Sequence, residues 1–159
     1  MKRLQERALL RTPGESPIIR TSVRLMVPFI QLFGLYVIVH GHYSPGGGFQ
    51  GGVILGASFI LLALAYDLKT SLHHMSERAN AVLGNLGAAI FVGVGLLAAL
   101  CGGLLLDYSA LDRLIPLGPI EWRSFGIFLI EVGVGLGVMC MMVLLYWTIS
   151  SDGALDEGL

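Results

Sequence analysis

The chain of 159 residues is 55% hydrophobic and only 13% charged, whereas about a quarter of the residues of a typical soluble domain are charged. Its formal net charge is −1, and its charges are concentrated in the first 24 residues and in short interruptions, so no basic face is available for nucleic acid. This composition excludes a soluble globular domain and indicates a protein that crosses a membrane several times.

Four apolar segments predict four transmembrane helices, at residues 23–40, 52–68, 82–106 and 124–149. The first segment has 18 residues. At ~1.5 Å per residue it spans ~27 Å, the low end for a ~30 Å hydrocarbon core. Residues 1–22 form a basic tail, and residues 150–159 form an acidic tail. We therefore expect an all-α integral membrane protein with a four-helix domain over residues 23–149.

The distribution of lysine and arginine predicts the orientation of these spans. One side of the membrane receives Lys2, Arg3, Arg7, Arg11, Arg20, Arg24, Lys69 and Arg78. The other side receives Arg113 and Arg123. This bias places both termini in the cytoplasm. Trp122 and Trp147 are expected at the membrane interfaces, where indole rings are favoured.

A glycine-rich segment, residues 40–52, connects the first two spans. The predicted loop positions in it are Pro45, Gly46, Gly47, Gly48, Phe49, Gly51 and Gly52. Glycine tolerates positive φ and lets other backbones approach closely. Two interpretations stay open: a tight linker, or non-helical backbone at membrane depth that is covered by protein or lines a wet cavity. A phosphate-binding loop is not supported, because no Gly-Lys-Ser/Thr ending follows.

Glu131 is the residue that we most expect to carry ion chemistry. It lies seven residues, or ~10 Å, inside the fourth apolar segment, where an ionised carboxylate costs ~2.5–3.5 kcal/mol. Glu131 must therefore be protonated, paired or in contact with water. The alternative is a protonated structural glutamic acid bonded to a carbonyl group. Candidate partners within the chain are His40, His42, Gln50 and Asn85.

His40 and His42 are further candidates for an ion path, because an unperturbed imidazole titrates near pH ~6.5 and can relay protons. The alternative for His40 is an interfacial histidine bonded to the backbone. Asp67 follows the second segment and is either a boundary charge or a contact with a partner. No metal site is predicted, since no ligand spacing occurs and His73 and His74 are adjacent.

Small residues at helical spacing predict close contacts between spans. They are Gly95, Ala99 and Gly103 in the third segment, and Gly133 and Gly137 in the fourth. Cys101 and Cys140 both lie within apolar segments, so we interpret them as buried thiols rather than as a disulfide.

Two motifs flank the second apolar segment. The first reads Gly41-His42-Tyr43-Ser44-Pro45-Gly46-Gly47-Gly48-Phe49-Gln50-Gly51-Gly52, and the second reads Leu64-Ala65-Tyr66-Asp67-Leu68-Lys69-Thr70. Together they closely resemble the MnhB-like, B-type component of the Mrp/Mnh multisubunit cation/proton antiporters. The resemblance is strong over residues 20–70 and weak over the third and fourth spans. Glu131 departs from the family pattern, in which this span more often carries aspartate, and the N-terminal tail is longer and more basic.

The resemblance implies a non-catalytic, four-helix subunit of a large inner-membrane complex that exchanges sodium for protons. Its implied partners are the other antiporter subunits and the lipid bilayer, and it implies no cofactor besides the transported Na⁺ and H⁺. B-type subunits also occur in the sodium-translocating module of membrane-bound hydrogenases and related respiratory complexes, which is the alternative assembly.

Two hypotheses about the mechanism follow. In the first, Glu131, His40 and the glycine loop shape a hydrated ion path, so that Glu131→Gln lowers transport while the complex still assembles. In the second, the subunit is a structural adaptor. Glu131→Gln is then silent, whereas Gly47→Val or Gly137→Leu breaks the complex.

Overall fold

The computed structural model describes residues 16–41, 46–116 and 118–151. In these ranges the chain forms α1 (Pro17–Val39), α2 (Gly47–Ala65), α3 (Leu68–His74), α4 (Glu77–Leu100), a 3-10 helix (Tyr108–Arg113) and α5 (Pro119–Ser150). The helices α1, α2, α4 and α5 are long and apolar enough to cross a membrane. The prediction of an all-α membrane protein with four spans is therefore confirmed.

Local chemistry explains where several helices begin and end. Proline stands at the first position of α1 and α5, where its missing N–H costs no hydrogen bond. Ser76 caps α4, because its Oγ accepts a hydrogen bond of 3.2 Å from the backbone N–H of Ala79. The chain leaves α4 through Gly102, whose φ of +83° favours glycine. The third span consequently ends at Leu100 and not at residue 106, where the sequence predicted its end.

The predicted loop is wrong from Gly47 to Gly52, because these residues form the first turns of α2. Gly46 stays outside the helix, with a left-handed φ of +87°. The helical state prevails because the missing side chains let the α2 backbone pack directly on its neighbours, and this packing stabilises a segment of poor helix propensity. Pro45 and His42 lie outside the described residues.

Among the four spans, α2 is the most enclosed. Helix α2 packs between α1 and α5, and α5 packs between α2 and α4. The hydroxyl group of Tyr66 donates a 3.0 Å hydrogen bond to the carbonyl of Arg20, so the end of α2 lies beside the start of α1. The core between α1, α2 and α5 contains Ile38, Leu55, Met139 and Cys140.

Short helix α3 is held against the far end of α5 by Trp147. This indole ring is fully buried, and its Nε1 donates a 3.0 Å hydrogen bond to Ser71 Oγ in α3. The ring packs with Leu68, Met75 and Val143. The prediction that Trp147 faces the membrane interface is therefore wrong, since α3 provides both the apolar contacts and the hydrogen-bond acceptor that the indole needs.

Trp122, near the start of α5, has a similar environment. Its side chain is buried, and its Nε1 donates a 2.8 Å hydrogen bond to the carbonyl of Ile115 in the preceding segment. Here too the protein supplies a partner for the indole N–H, which secures the connection between the 3-10 helix and α5. Cys101 and Cys140 are both free thiols.

Candidate functional site

Glu131 lies deep in α5, the longest span. Helix α5 begins at Pro119, five residues before the predicted span. Glu131 is therefore about 18 Å along the helix axis from its first residue, at ~1.5 Å per residue. Its distance from the start of the apolar part at Ser124 remains ~10 Å. The side chain is half-buried. Glu131 is thus an ionisable group at a depth where protein or water must surround it.

The carboxyl group of Glu131 lies against the backbone of Gly41, at the end of α1. A Cβ atom built on Gly41 would be 2.5 Å from Oε2 and 2.7 Å from Oε1 of Glu131. Such distances are well below van der Waals contact, so only a glycine admits the carboxyl group in this position. Gly41 itself is buried and adjoins the non-helical connection between α1 and α2.

The backbone of Glu131 is covered by α2. A Cβ atom on Gly48 would lie 2.6 Å from the carbonyl oxygen of Glu131, and one on Gly52 would lie 2.6 Å from that of Gly135. Gly48 and Gly52 are four residues apart in α2, and Glu131 and Gly135 are four residues apart in α5. Residues at this spacing lie on the same face of an α-helix. Two glycine-containing faces, one on each helix, therefore bring the α2 and α5 backbones into direct contact at Glu131.

These contacts give the site an unusual lining of main chain. The Gly47 backbone packs on Gly41, which in turn packs on the Glu131 carboxyl group. The first turn of α2 consequently lies beside this carboxyl group, and the partial positive charge of a helix N-terminus stabilises nearby negative charge. Of our two interpretations of the segment, non-helical backbone at membrane depth does not apply to residues 47–52, which are helical.

The structure gives less support to the two histidines predicted for an ion path than to Glu131. His40 is exposed, its Nδ1 donates a 3.0 Å hydrogen bond to the carbonyl of Tyr36, and its ring centroid is 4.1 Å from that of Tyr36. This is the backbone-bonded arrangement that the alternative interpretation of His40 described. His42 lies outside the described residues. The side chains of Gln50 and Asn85 are exposed on α2 and α4.

The predicted packing residues fall into two groups. Gly133 lies at the crossing of α4 and α5, since a Cβ on it would be 2.8 Å from the carbonyl oxygen of Gly87. Gly137 is open, with no atom within 4 Å of such a Cβ. It borders a shallow groove of about 280 Å³ on the outer face of α4 and α5.

Gly95, Ala99 and Gly103 do not form a contact face between spans. A Cβ on Gly95 would meet Leu106, and one on Gly103 would meet Ala110 of the 3-10 helix. Gly103 lies beyond the end of α4, so the predicted four-residue face is wrong there. Ala99 is half-buried. The sequence reasoning missed Gly87 and Gly135, although the spacing of Gly48 and Gly52 could have indicated a matching face on α5.

Asp67 has a defined structural role at the start of α3. Its Oδ1 accepts a 2.6 Å hydrogen bond from the backbone N–H of Thr70, which is the N-cap arrangement. Hydrogen bonds from Thr70, first from its side chain and then from its backbone, lower the pKa of Asp67 below the usual 3.8. The carboxylate is otherwise exposed, so it also remains accessible to a partner.

Within the described ranges no three His, Cys, Asp or Glu side chains are grouped so that they could hold a metal ion. Carbonyl and carboxylate oxygens suit protons and hard cations better than they suit soft transition metals.

Comparison with known proteins places the chain among transporter subunits. The family described as "Domain related to MnhB subunit of Na+/H+ antiporter" matches residues 18–144. The B-type subunit of the Na(+)/H(+) antiporter of Bacillus subtilis strain 168 is 34% identical over 129 residues, which cover 77% of this chain and 89% of the relative. The putative antiporter subunit mnhB2 of Staphylococcus aureus strain Newman is 29% identical over 134 residues, covering 84% and 93%. The chain therefore belongs to the MnhB family.

Proposed function

We propose that this chain is the B-type membrane subunit of a multisubunit cation/proton antiporter and that it contributes to sodium/proton exchange and to assembly of the complex. Its family and the names of its relatives support this role, as do its four spans. It acts as part of a transporter and not as an enzyme. The relatives' names favour an antiporter over a hydrogenase-type complex.

The protein resides in the cell membrane of a prokaryote, with both termini in the cytoplasm. Among the described residues, Arg20, Arg24, Lys69 and Arg78 belong to the end of the bundle where α1 begins and α2 ends. Arg113 and Arg123 belong to the opposite end. This asymmetry supports the orientation through the excess of positive charge on the cytoplasmic side. The other subunits of the complex cover part of the exposed apolar surface.

The observation that carries a direct role in transport is the enclosure of Glu131 by glycine backbones from α1 and α2. An intramembrane carboxyl group is costly and marks an ion pathway in many membrane proteins. Here the carboxyl group of Glu131 lies against Gly41, and the backbone of Glu131 lies against Gly48. Both contacts are so close that any residue other than glycine would displace the carboxyl group or the α5 backbone. The arrangement suits a group that takes up a proton on one side and releases it on the other.

The test is sodium-dependent proton transport in everted vesicles that carry the whole complex with Glu131→Gln. We expect transport to fall at least ten-fold, because glutamine keeps the shape of the side chain but cannot exchange a proton. Glu131→Asp should retain part of the activity, since it keeps the carboxyl group. Glu121→Gln is the matched control, because Glu121 is exposed in the first turn of the same helix.

Native gels of the same membranes separate the two hypotheses. Lost transport with an intact complex supports the ion-path role of Glu131. Unchanged transport in Glu131→Gln would refute that role and leave the structural adaptor, for which the direct contacts of α2 with α5 are the supporting observation.

A further inference from the structure

A groove separate from the Glu131 site runs between α1, α2 and α3. Its volume is about 670 Å³. One end is polar and is lined by Arg24, Tyr66, Thr70 and His74. The other end reaches Gln31 and Phe59. Because Gln31 follows Arg24 by seven residues, the groove extends ~10 Å along α1 at ~1.5 Å per residue. It thus leads from the cationic end of the bundle into the apolar part of the spans.

The polar end of the groove is cationic. The exposed side chain of Arg24 is directed toward the start of α1, because helical side chains tilt toward the helix N-terminus. The guanidinium of Arg20 lies 5.5 Å from the ring centroid of Tyr66, which places a second arginine at the same rim. His74, also exposed, contributes a further nitrogen donor. Guanidinium groups are the preferred partners of phosphate oxygens in proteins.

The carboxylate nearest to this rim does not line the groove. Asp67 is exposed and engaged at the N-cap of α3, where it accepts from Thr70. None of the described lining residues is acidic. Arg20 is attracted to Asp67. Arg24 and His74, in contrast, line the groove without an acidic lining residue beside them, so this end of the groove is complementary to an anion.

The inner part of the groove is apolar. Val27 and Leu62 are buried in the contact of α1 with α2, and Phe59 is half-buried beside them. On the same helix α1, the side chains of Leu25, Phe29 and Leu32 are exposed, as expected for a helix facing hydrocarbon. An occupant must therefore carry an anionic group at one end and an apolar chain at the other.

We propose that this groove binds one anionic phospholipid, with its phosphate group at Arg24 and His74 and an acyl chain along Val27, Leu62 and Phe59. Basic recesses between transmembrane helices are known binding sites for anionic lipid head groups. Free phosphate would satisfy only the rim and leave the apolar part empty. The proposal rests on the membrane location of the protein and is independent of the role of Glu131.

The test uses the whole complex reconstituted in vesicles of equal amounts of phosphatidylglycerol and phosphatidylcholine with identical acyl chains. A photoreactive phenylalanine analogue replaces Phe59, and the mass of this subunit is measured after illumination. We expect an adduct with the mass of phosphatidylglycerol, enriched over phosphatidylcholine. Arg24→Gln should reduce that adduct about five-fold, as expected for the loss of one cation near the membrane surface. Arg78→Gln is the matched control, since Arg78 is also exposed but does not line the groove.

Four outcomes would overturn the proposal. Cross-linking of position 59 to another subunit would show that a protein covers the groove. Adducts in the one-to-one ratio of the bulk lipids would show contact without selection. An equal loss of adduct in Arg24→Gln and Arg78→Gln would assign the effect to the general surface charge. Retention of the phosphatidylglycerol adduct in Arg78→Gln, together with its loss in Arg24→Gln, supports the site. Absence of any lipid adduct would also contradict it.

Discussion

Gly41 at the end of α1 packs directly against the carboxyl group of Glu131 in the middle of α5. The two residues are far apart in sequence, and neither the hydrophobic pattern nor the glycine count links them. Their contact joins the glycine-rich connection and the intramembrane carboxyl group into one site. The role of Glu131 is therefore tested most directly by a substitution at Gly41, and the role of Gly41 by a substitution at Glu131.

Replacing Gly41 with alanine should impair transport while leaving assembly intact. The added methyl group would meet Oε2 at 2.5 Å, so the carboxyl group, the far end of a flexible side chain, must move aside. Because small displacements of a reacting group have large kinetic effects, we expect transport to fall about ten-fold or more. The measurement is proton transport in everted vesicles, with complex assembly followed on native gels.

Gly93→Ala is the control for Gly41→Ala. Gly93 lies in α4, and a Cβ there would meet no atom within 4 Å. This variant should behave as wild type. Full transport by Gly41→Ala would contradict the placement of the carboxyl group against Gly41.

Gly133 and Gly137 should respond differently to the same substitution. Alanine at Gly133 would bring Cβ to 2.8 Å from the backbone carbonyl oxygen of Gly87, so α4 and α5 must separate. We expect a loss of about 1–3 kcal/mol, the usual cost of overpacking. Alanine at Gly137 meets nothing and should be neutral. Thermal unfolding of the purified complex measures the stability of both variants. Equal unfolding midpoints would argue against the close contact of α4 and α5 at Gly133.

Gly137→Leu extends this comparison to the assembly of the complex. The leucine would fill the groove that Gly137 shares with Ala88 and Phe91 on the outer face of the bundle. The structural-adaptor hypothesis predicts that partner subunits are then lost from native gels although the chain itself stays folded. Normal assembly of Gly137→Leu would exclude this groove as a contact between subunits.

The four spans could be predicted because a membrane selects for length and apolar character, which are local properties of a sequence. The limits of α2 could not be predicted in this way. Residues 47 to 52, four of them glycines, have the composition of a turn, and they are helical because the bare backbone of these glycines packs on α1 and α5. Trp147 was misplaced for a related reason, since its partner Ser71 lies in a short helix whose position depends on tertiary contacts.

The candidate site, too, has one part that could be predicted from the sequence and one part that could not. Glu131 could be singled out because a carboxyl group in an apolar segment is rare on energetic grounds. Its neighbours Gly41 and Gly48 could be named only as members of a glycine-rich motif. Which glycine meets the carboxyl group and which meets the α5 backbone depends on the relative rotation of three helices. A single sequence does not encode that rotation in any local pattern.

Asp67 should act through its hydrogen bonds rather than through its charge if capping is its only role. Asparagine is as good an N-cap as aspartate, so Asp67→Asn should leave α3 intact, whereas Asp67→Ala should destabilise its first turn by about 1 kcal/mol. Hydrogen exchange of the α3 backbone amides in the purified complex measures this. If Asp67→Asn lowers transport while α3 stays protected, the carboxylate also contacts a partner through its charge.

The same cap predicts a pH dependence. Hydrogen bonds from Thr70 favour the carboxylate, so the pKa of Asp67 in the folded protein lies below its ordinary value of 3.8. A depressed pKa contributes stability that is present above the unfolded-state pKa and is lost as the pH falls through the folded-state value. Protection of the α3 amides should therefore be constant above about pH 5 and should decline below pH ~4. In Asp67→Asn this decline should be absent.

The hydrogen bond between Trp147 and Ser71 should be essential for docking α3 on α5. Both side chains are fully buried, and the indole Nε1 donates to Ser71 Oγ at 3.0 Å. Ser71→Ala leaves this donor without its acceptor in an apolar setting, which costs about 1–3 kcal/mol. Ser124→Ala, which removes an exposed hydroxyl group from α5, should change stability by less than about 0.5 kcal/mol. A double-mutant cycle with Trp147→Phe isolates the pair, because thermal unfolding of the complex should show less than additive losses. Additive losses would mean that α3 is held by apolar packing of the Trp147 ring alone.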